Sequence, residues 1–152
     1  ALPYESRDVG KLLPVETALL SREEGTVILE TDLGLTGRGT TLEEAVAELK
    51  TRASGSLFLD TGNFVLLRPS ALDLLPELRT ADFLRDSCTL CMAEGELDLS
   101  GVGDYLRAHE PDSDLGRAFA ALAEGQTPKL PLLRETEGTY RLEGDASCLA
   151  EP

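Results

Sequence analysis

The strongest chemical signal in this chain is Cys88-Thr89-Leu90-Cys91. A C-x-x-C spacing can form a redox-active dithiol or half of a zinc site. The surrounding sequence argues against both. Ser87 to Ala93 is a β-rich run, and strand residues three apart point to opposite faces. A redox pair also needs a helix N-terminus to stabilise its thiolate. A structural zinc site needs about four ligands, and beyond the pair the chain supplies only Cys148 and His109. Both thiols are therefore read as small apolar core residues. The three cysteines are too few and too irregular for a disulfide framework, so they do not identify a compartment.

His109 is the only histidine, so any mechanism with an imidazole base depends on it. It falls near the end of a helical pattern, where the helix dipole and the carboxylates of Glu110, Asp112 and Asp114 favour imidazolium. That is a capping or solvated role. The carboxylates Glu94, Glu96, Asp98, Asp104, Glu110, Asp112 and Asp114 lack the glycine and terminal glutamate that a calcium loop requires in register. They read as a solvated face and a helix cap. Gly37-Arg38-Gly39 is a glycine-flanked turn before a helix and carries a weak anion-binding signal, without the remainder of a phosphate loop. Ser54, Ser56 and Ser70 lack a nucleophile-elbow context. No catalytic, cofactor-binding or metal-binding residue is assigned, and no enzymatic activity is expected.

The elements that position these groups are legible from periodicity. Val15 to Leu20 and Thr26 to Leu33 form an N-terminal hairpin across a polar segment ending at Gly25. Leu42, Ala45, Val46 and Leu49 then fall on one helical face, with Thr40 and Glu43, or Thr41 and Glu44, as a capping box. Leu57 to Leu59 and Phe64 to Leu67 are apolar on both faces, as central strands are. Pro69-Ser70 opens an apolar helix from Ala71 through Leu75 that Pro76 should break or kink. A short helix capped by Thr80 carries Phe83 and Leu84. After the cysteine strand, Ser100 caps a helix bearing Val102, Tyr105, Leu106 and His109, which Pro111 closes. A further helix begins at Asp112 and Ser113 and ends at Gly125.

The fold class is α+β, a mixed central sheet flanked by helices. The strands near 15–20, 26–33, 57–59, 63–67 and 87–93 build the sheet, and their order is not derivable. Residues 1–126 are read as an N-terminal α+β domain. Residues 127–152, with strands at Leu130 to Arg134 and Thr139 to Leu149, are read as a β-hairpin. A lone hairpin is only marginally stable. It either packs on the first domain or begins a second.

Composition limits partners more than it limits fold. A length of 152 residues with 41% apolar content supports one ordinary core. The net charge is −14, spread evenly along the chain. Such an excess repels polyphosphate and anionic headgroups, so nucleic acid is not expected as a partner. No apolar run approaches the roughly 18 residues of a membrane span, and residues 1–15 lack a signal-peptide pattern. Attachment to a membrane would require a covalent lipid or a protein partner.

The order of several motifs resembles the first domain of the C-subunit lipoproteins of spore germinant receptors, the Ger(x)C family. Glu5-Ser6-Arg7-Asp8-Val9 and Leu13-Pro14-Val15-Glu16-Thr17-Ala18 are similar to the family's charged opening and first strand. Gly37 to Ala45 resembles its gly-x-gly-(Thr or Ser)-leu-glu-glu-ala signature. Leu57-Phe58-Leu59 with Phe64 to Leu67, the leucines from Leu72 to Leu75, and Phe83-Leu84-Arg85-Asp86 follow in the family's order. Leu130-Pro131-Leu132 and Leu142-Glu143-Gly144-Asp145-Ala146 are similar to the opening of its second domain. Thr61-Gly62 stands where the family usually has a histidine. Family members are longer and have further domains.

The resemblance implies a non-catalytic accessory subunit that acts in spore germination. It implies a lipid anchor on a cysteine just upstream of Ala1 and a place on the outer face of the spore inner membrane or the cell membrane. Its partners would be the integral-membrane A and B subunits, contacted through a few apolar or aromatic anchors. Tyr4 and Phe64 are candidates for that role, though neither is assigned as a site. The alternatives are an extracytoplasmic binding domain unrelated to germination and a thiol-redox protein using Cys88 and Cys91.

Overall fold

The computed structural model describes residues 12–59, 61–81 and 84–146. Tyr4, the Glu5 to Val9 motif, Phe83 and Cys148 lie outside them. Two antiparallel hairpins flank a core of parallel strands. β1 (Leu12–Pro14), β2 (Thr17–Glu23), β3 (Thr26–Thr31) and β4 (Thr36–Gly39) lead into α1 (Leu42–Arg52). β5 (Ser56–Phe58) and β6 (Phe64–Leu67) follow, then a 3₁₀ segment (Pro69–Leu74), α2 (Leu75–Thr80) and β7 (Thr89–Glu94). The chain continues through α3 (Leu99–His109), α4 (Leu115–Ala123), β8 (Leu130–Thr136) and β9 (Thr139–Ala146).

The main sheet has seven strands in the order β4-β3-β2-β6-β7-β8-β9. The β2-β6, β6-β7 and β7-β8 pairs are parallel, while β3, β4 and β9 run antiparallel to their neighbours. This is the expected α+β class with a mixed sheet. The hairpin of β8 and β9 joins the sheet through parallel pairing of Met92, Ala93 and Glu94 with Leu132, Leu133 and Arg134. Its turn, Glu137-Gly138, has φ of 52° and 81°, as does the β2-β3 turn in kind, with Glu24 at 50° and Gly25 at 84°. Paired positive φ values match the twist of two-residue hairpins.

Alternation along the parallel strands divides the core in two. Val65 and Leu67 of β6 and Leu90 and Met92 of β7 face α1, the 3₁₀ segment, α2 and α4. Phe64, Leu66, Cys91 and Ala93 face α3 through Leu99, Val102 and Leu106. Period-two side-chain placement sends neighbours to opposite layers, so strands covered on both faces read as continuous apolar runs.

Several sequence expectations need correction. The 57–59 run is not in the central sheet: β5 pairs with β1 in a separate two-stranded sheet. Both sides of β6 are taken, by β2 and β7, which leaves β5 no place beside it. The 26–33 strand stops at Thr31, whose Oγ1 accepts from Leu33 N and whose carbonyl accepts from Gly34 N, turning the chain early. Thr80 is the last residue of α2, its hydroxyl donating to Glu77 O; Phe83, expected on a helix after it, lies outside the described residues. Ser100 lies inside α3, whose N-cap position is Asp98. Asp112 and Ser113 precede α4, and Asp114 caps it by accepting from Arg117 N at 2.8 Å. The helix opened at Pro69 is a 3₁₀ segment that does stop just before Pro76, and Pro76 itself sits in the first turn of α2, where its missing N–H is unneeded.

The glycine-flanked segment before α1 is a strand. Gly37 and Gly39 belong to β4, paired with Leu29 and Val27 of β3. The local reason for glycine is steric. A Cβ on Gly37 would fall within 2.7 Å of Leu49 N and 2.9 Å of Leu49 Cβ, and one on Gly39 within 2.8 Å of Ala45 N. The motif lets α1 lie directly on the strand that precedes it.

Candidate functional site

The cysteine pair is divided by the sheet. Cys88 belongs to the core under α2 and α4, and Cys91 to the core under α3. Both are free and buried. The Cys88 thiol donates to Gly62 O at 3.0 Å, and burial pushes its pKa up. Cys91 is 0% exposed, and burial alone lifts its thiol from the ordinary 9.0 to about 12. Neither geometry nor proton affinity suits thiolate chemistry. Among the described residues, no cluster of His, Cys, Asp and Glu is arranged to hold a metal.

His109 stacks on Tyr105, with ring centroids 3.9 Å apart, and its Nδ1 lies 2.8 Å from Tyr105 O at the C-terminal turn of α3. This is the helix-end position foreseen from sequence. The carboxylates are distributed over separate structural tasks rather than gathered. Asp112 pairs with Arg117 at 2.7 Å, Asp104 with Arg107 at 3.0 Å and Glu94 with Arg134 at 2.7 Å. Arg134 also bonds both oxygens of Glu143, and this guanidinium holds the Glu143 carboxyl below its ordinary range.

A connected polar cluster lies where β2 and β6 begin. Asp32 Oδ1 accepts from the amides of Glu16 and Thr17, at 3.1 and 3.3 Å. Glu16 O accepts from the amides of Asn63 and Phe64, at 2.9 and 3.1 Å. The Glu16 carboxylate accepts from Asn63 Nδ2 at 3.2 Å and forms an ion pair with Arg107 of α3. The Arg107 guanidinium also covers Phe64, 5.8 Å from the ring centroid. On the other side, Arg85 Nη2 donates to Gly62 O at 3.1 Å and to Asn63 Oδ1 at 3.0 Å.

The cluster brings together segments far apart in sequence: the first strand, the Thr61-Gly62-Asn63 turn, Arg85 and α3. Sequence reasoning missed Glu16, Asn63, Arg85 and Arg107 as a group because each is an ordinary polar residue in its own segment. Phe64 needs a different reading from that of an exposed anchor: it is 6% exposed and part of the core under α3. Its strand alternation puts it inward, and Arg107 closes over it. Leu33 is the one large apolar side chain classed as exposed among the described residues, at 38%.

Comparison of the chain with protein-family models, with curated proteins and with solved structures finds no match in any of the three. Among the described residues, no helix is long and apolar enough to cross a membrane.

Proposed function

We propose that this chain is a non-catalytic accessory domain of a germinant-receptor C-subunit lipoprotein. It acts in spore germination through protein contact with integral-membrane A and B subunits. A lipid on a cysteine upstream of Ala1 holds it at the outer face of the spore inner membrane. The observation that carries this reading is the ordered run of family-like motifs from Glu5 to Ala146.

Two structural relationships add support. Gly37 to Ala45 forms a strand packed against its own helix, which supplies a physical reason for a gly-x-gly signature ahead of leu-glu-glu-ala. Arg85, of the Phe-Leu-Arg-Asp element, reaches the Thr61-Gly62-Asn63 turn that follows Leu57-Phe58-Leu59. Two family-like segments thus meet at the point where the family's usual histidine is replaced. The engagement of both thiols and the principal carboxylates in packing, caps and ion pairs is consistent with a contact role.

The test is genetic and chemical. In the parent organism, deletion of the gene should abolish or slow the response of spores to nutrient germinants, and the full product should incorporate labelled fatty acid. A deletion strain with an unchanged nutrient response and a product without lipid would sink the proposal. A second reading, an extracytoplasmic binding domain unrelated to germination, draws support from the lack of a family-model match. It predicts that second outcome.

A further inference from the structure

The seven-stranded sheet ends in two strands, β4 and β9, whose outer edges have no strand partner among the described residues. Unpaired strand edges present amides and carbonyls that can template pairing with another chain. Hydrogen-bonding in a two-residue hairpin alternates from the turn outward. The Thr136-Thr139 pair closes the turn, Arg134-Arg141 is the next bonded pair, and Leu133-Leu142 is a non-bonded pair. The Leu142 amide therefore points away from β8. It donates to Tyr105 Oη, on α3, at 3.2 Å.

The opposite edge repeats the arrangement with different chemistry. Counting from the Glu23-Thr26 closure, Leu29 and Val27 of β3 turn their amides toward β4, so Arg38 turns its amide outward. That amide donates to Glu48 Oε1, on α1, at 2.5 Å. On each edge, a helix that covers the neighbouring strands sends one side-chain oxygen over the rim.

Other features blunt the same edges. β4 has only four residues, two of them glycine. The β8-β9 ladder shifts register at Pro131/Leu132, and such bulges increase local twist and interrupt pairing. Tyr140 Oη accepts from Asp98 N at 3.1 Å, which ties the loop before α3 to β9. Tyr105 and Tyr140 also meet ring to ring, with centroids 5.8 Å apart.

We infer that Tyr105 and Glu48 are edge-shielding residues: each occupies an outward strand amide and keeps the sheet from extending onto a second copy of this chain. The hydroxyl of Tyr105 performs this task, whereas its ring serves packing. The carboxylate of Glu48 performs it at the opposite end, and a side-chain amide can replace it because Gln retains the acceptor oxygen. The inference rests on edge geometry and is independent of any role in germination.

The experiment compares the parent chain with Tyr105→Phe, Glu48→Gln, Glu48→Ala and the double variant Tyr105→Phe/Glu48→Ala. The readouts are amide hydrogen exchange and sedimentation velocity over a concentration series. Tyr105→Phe should raise exchange at Leu142 by about tenfold, as loss of one hydrogen bond does. Glu48→Ala should do the same at Arg38, and Glu48→Gln should leave exchange at Arg38 near the parent's. The double variant, with an unchanged circular dichroism spectrum, should self-associate at concentrations where the parent sediments unchanged. If it does not fold, the same two readouts on Tyr105→Phe alone decide. Unchanged exchange at Leu142, or faster exchange with sedimentation identical to the parent's at every concentration, overturns the inference.

Discussion

Cys88 and Cys91 lie three residues apart in sequence and on opposite faces of the central sheet. A spacing that suggests a dithiol or a metal clip in a loop is, within β7 and its approach, a pair of unrelated core positions. Strand alternation separates the two sulfurs by the thickness of the sheet.

The two thiols should resist modification in the native state. A thiol reagent should label neither Cys88 nor Cys91 until denaturant is added, because both are buried and held as neutral thiols. Peptide mapping after labelling checks this residue by residue. Rapid labelling of both in the folded chain would restore the thiol-redox reading.

Burial of Cys91 also sets an alkaline limit on stability. Its thiol titrates at about 12 in the folded state against an ordinary value of 9.0. Above pH 9 the unfolded chain therefore loses this proton first and binds fewer protons than the native state. Stability falls as pH rises across that window. The loss from Cys91 should be on the order of 1 kcal/mol by pH 10. Cys88, also raised by burial, acts in the same direction. Urea midpoints from pH 7 to pH 10 should decline, and Cys91→Ala should flatten the slope.

The close approach of α1 to β4 makes Gly37 intolerant of a side chain. Gly37→Ala drives a methyl into the backbone of Leu49 and should cost roughly 1–3 kcal/mol through overpacking. Gly25→Ala is the comparison, since that position has φ of 84° and open space around it, and its cost of about 1–2 kcal/mol is conformational. Urea denaturation measures both. A neutral Gly37→Ala variant would show that α1 can lift away from the strand.

At the start of α1, Thr41 Oγ1 accepts from Glu44 N at 3.1 Å, while Glu44 Oε1 accepts from Thr40 N at 2.9 Å. The Thr40 amide, and after it the Thr40 hydroxyl, which donates to the same oxygen at 2.8 Å, lower the Glu44 pKa. A lowered carboxylate contributes stability above its unfolded value and loses it as pH falls through the folded one. Thr41→Ala should cost about 1 kcal/mol. Glu44→Gln should reduce the decline in thermal midpoint between pH 5 and pH 3.

Arg107 links α3 to the first strand through Glu16 and shields Phe64. Arg107→Ala should lower the urea midpoint only modestly, because the ion pair is half-exposed and solvent-screened and the ring contact is weak. A double-mutant cycle with Glu16→Gln should return a small but non-zero coupling. Additive effects would show that Arg107 acts through Phe64 and Asp104 rather than through Glu16.

Much of the fold follows from local signals in the sequence. The Leu42, Ala45, Val46 and Leu49 stripe specifies α1 and its buried face, and all four are buried in the structure. The apolar run Phe64 to Leu67 specifies a strand covered on both sides, because only burial on both faces favours four consecutive large apolar residues. The hairpin turns are written in Glu-Gly pairs that tolerate positive φ. Even the division of Cys88 from Cys91 follows from a period of two.

Tertiary structure decided what depends on partners distant in the chain. Gly37 and Gly39 read as a turn because glycine signals both conformational freedom and close approach, and only the position of α1 distinguishes them. The 57–59 strand found β1 because strand order is a competition for sheet edges that no segment settles alone. Phe64 is an inward residue because α3 returns across β2 and β6, and Glu16, Asn63, Arg85 and Arg107 become neighbours only after that crossing. Local sequence determines which elements form and which faces are apolar; contact between remote segments decides which polar groups meet.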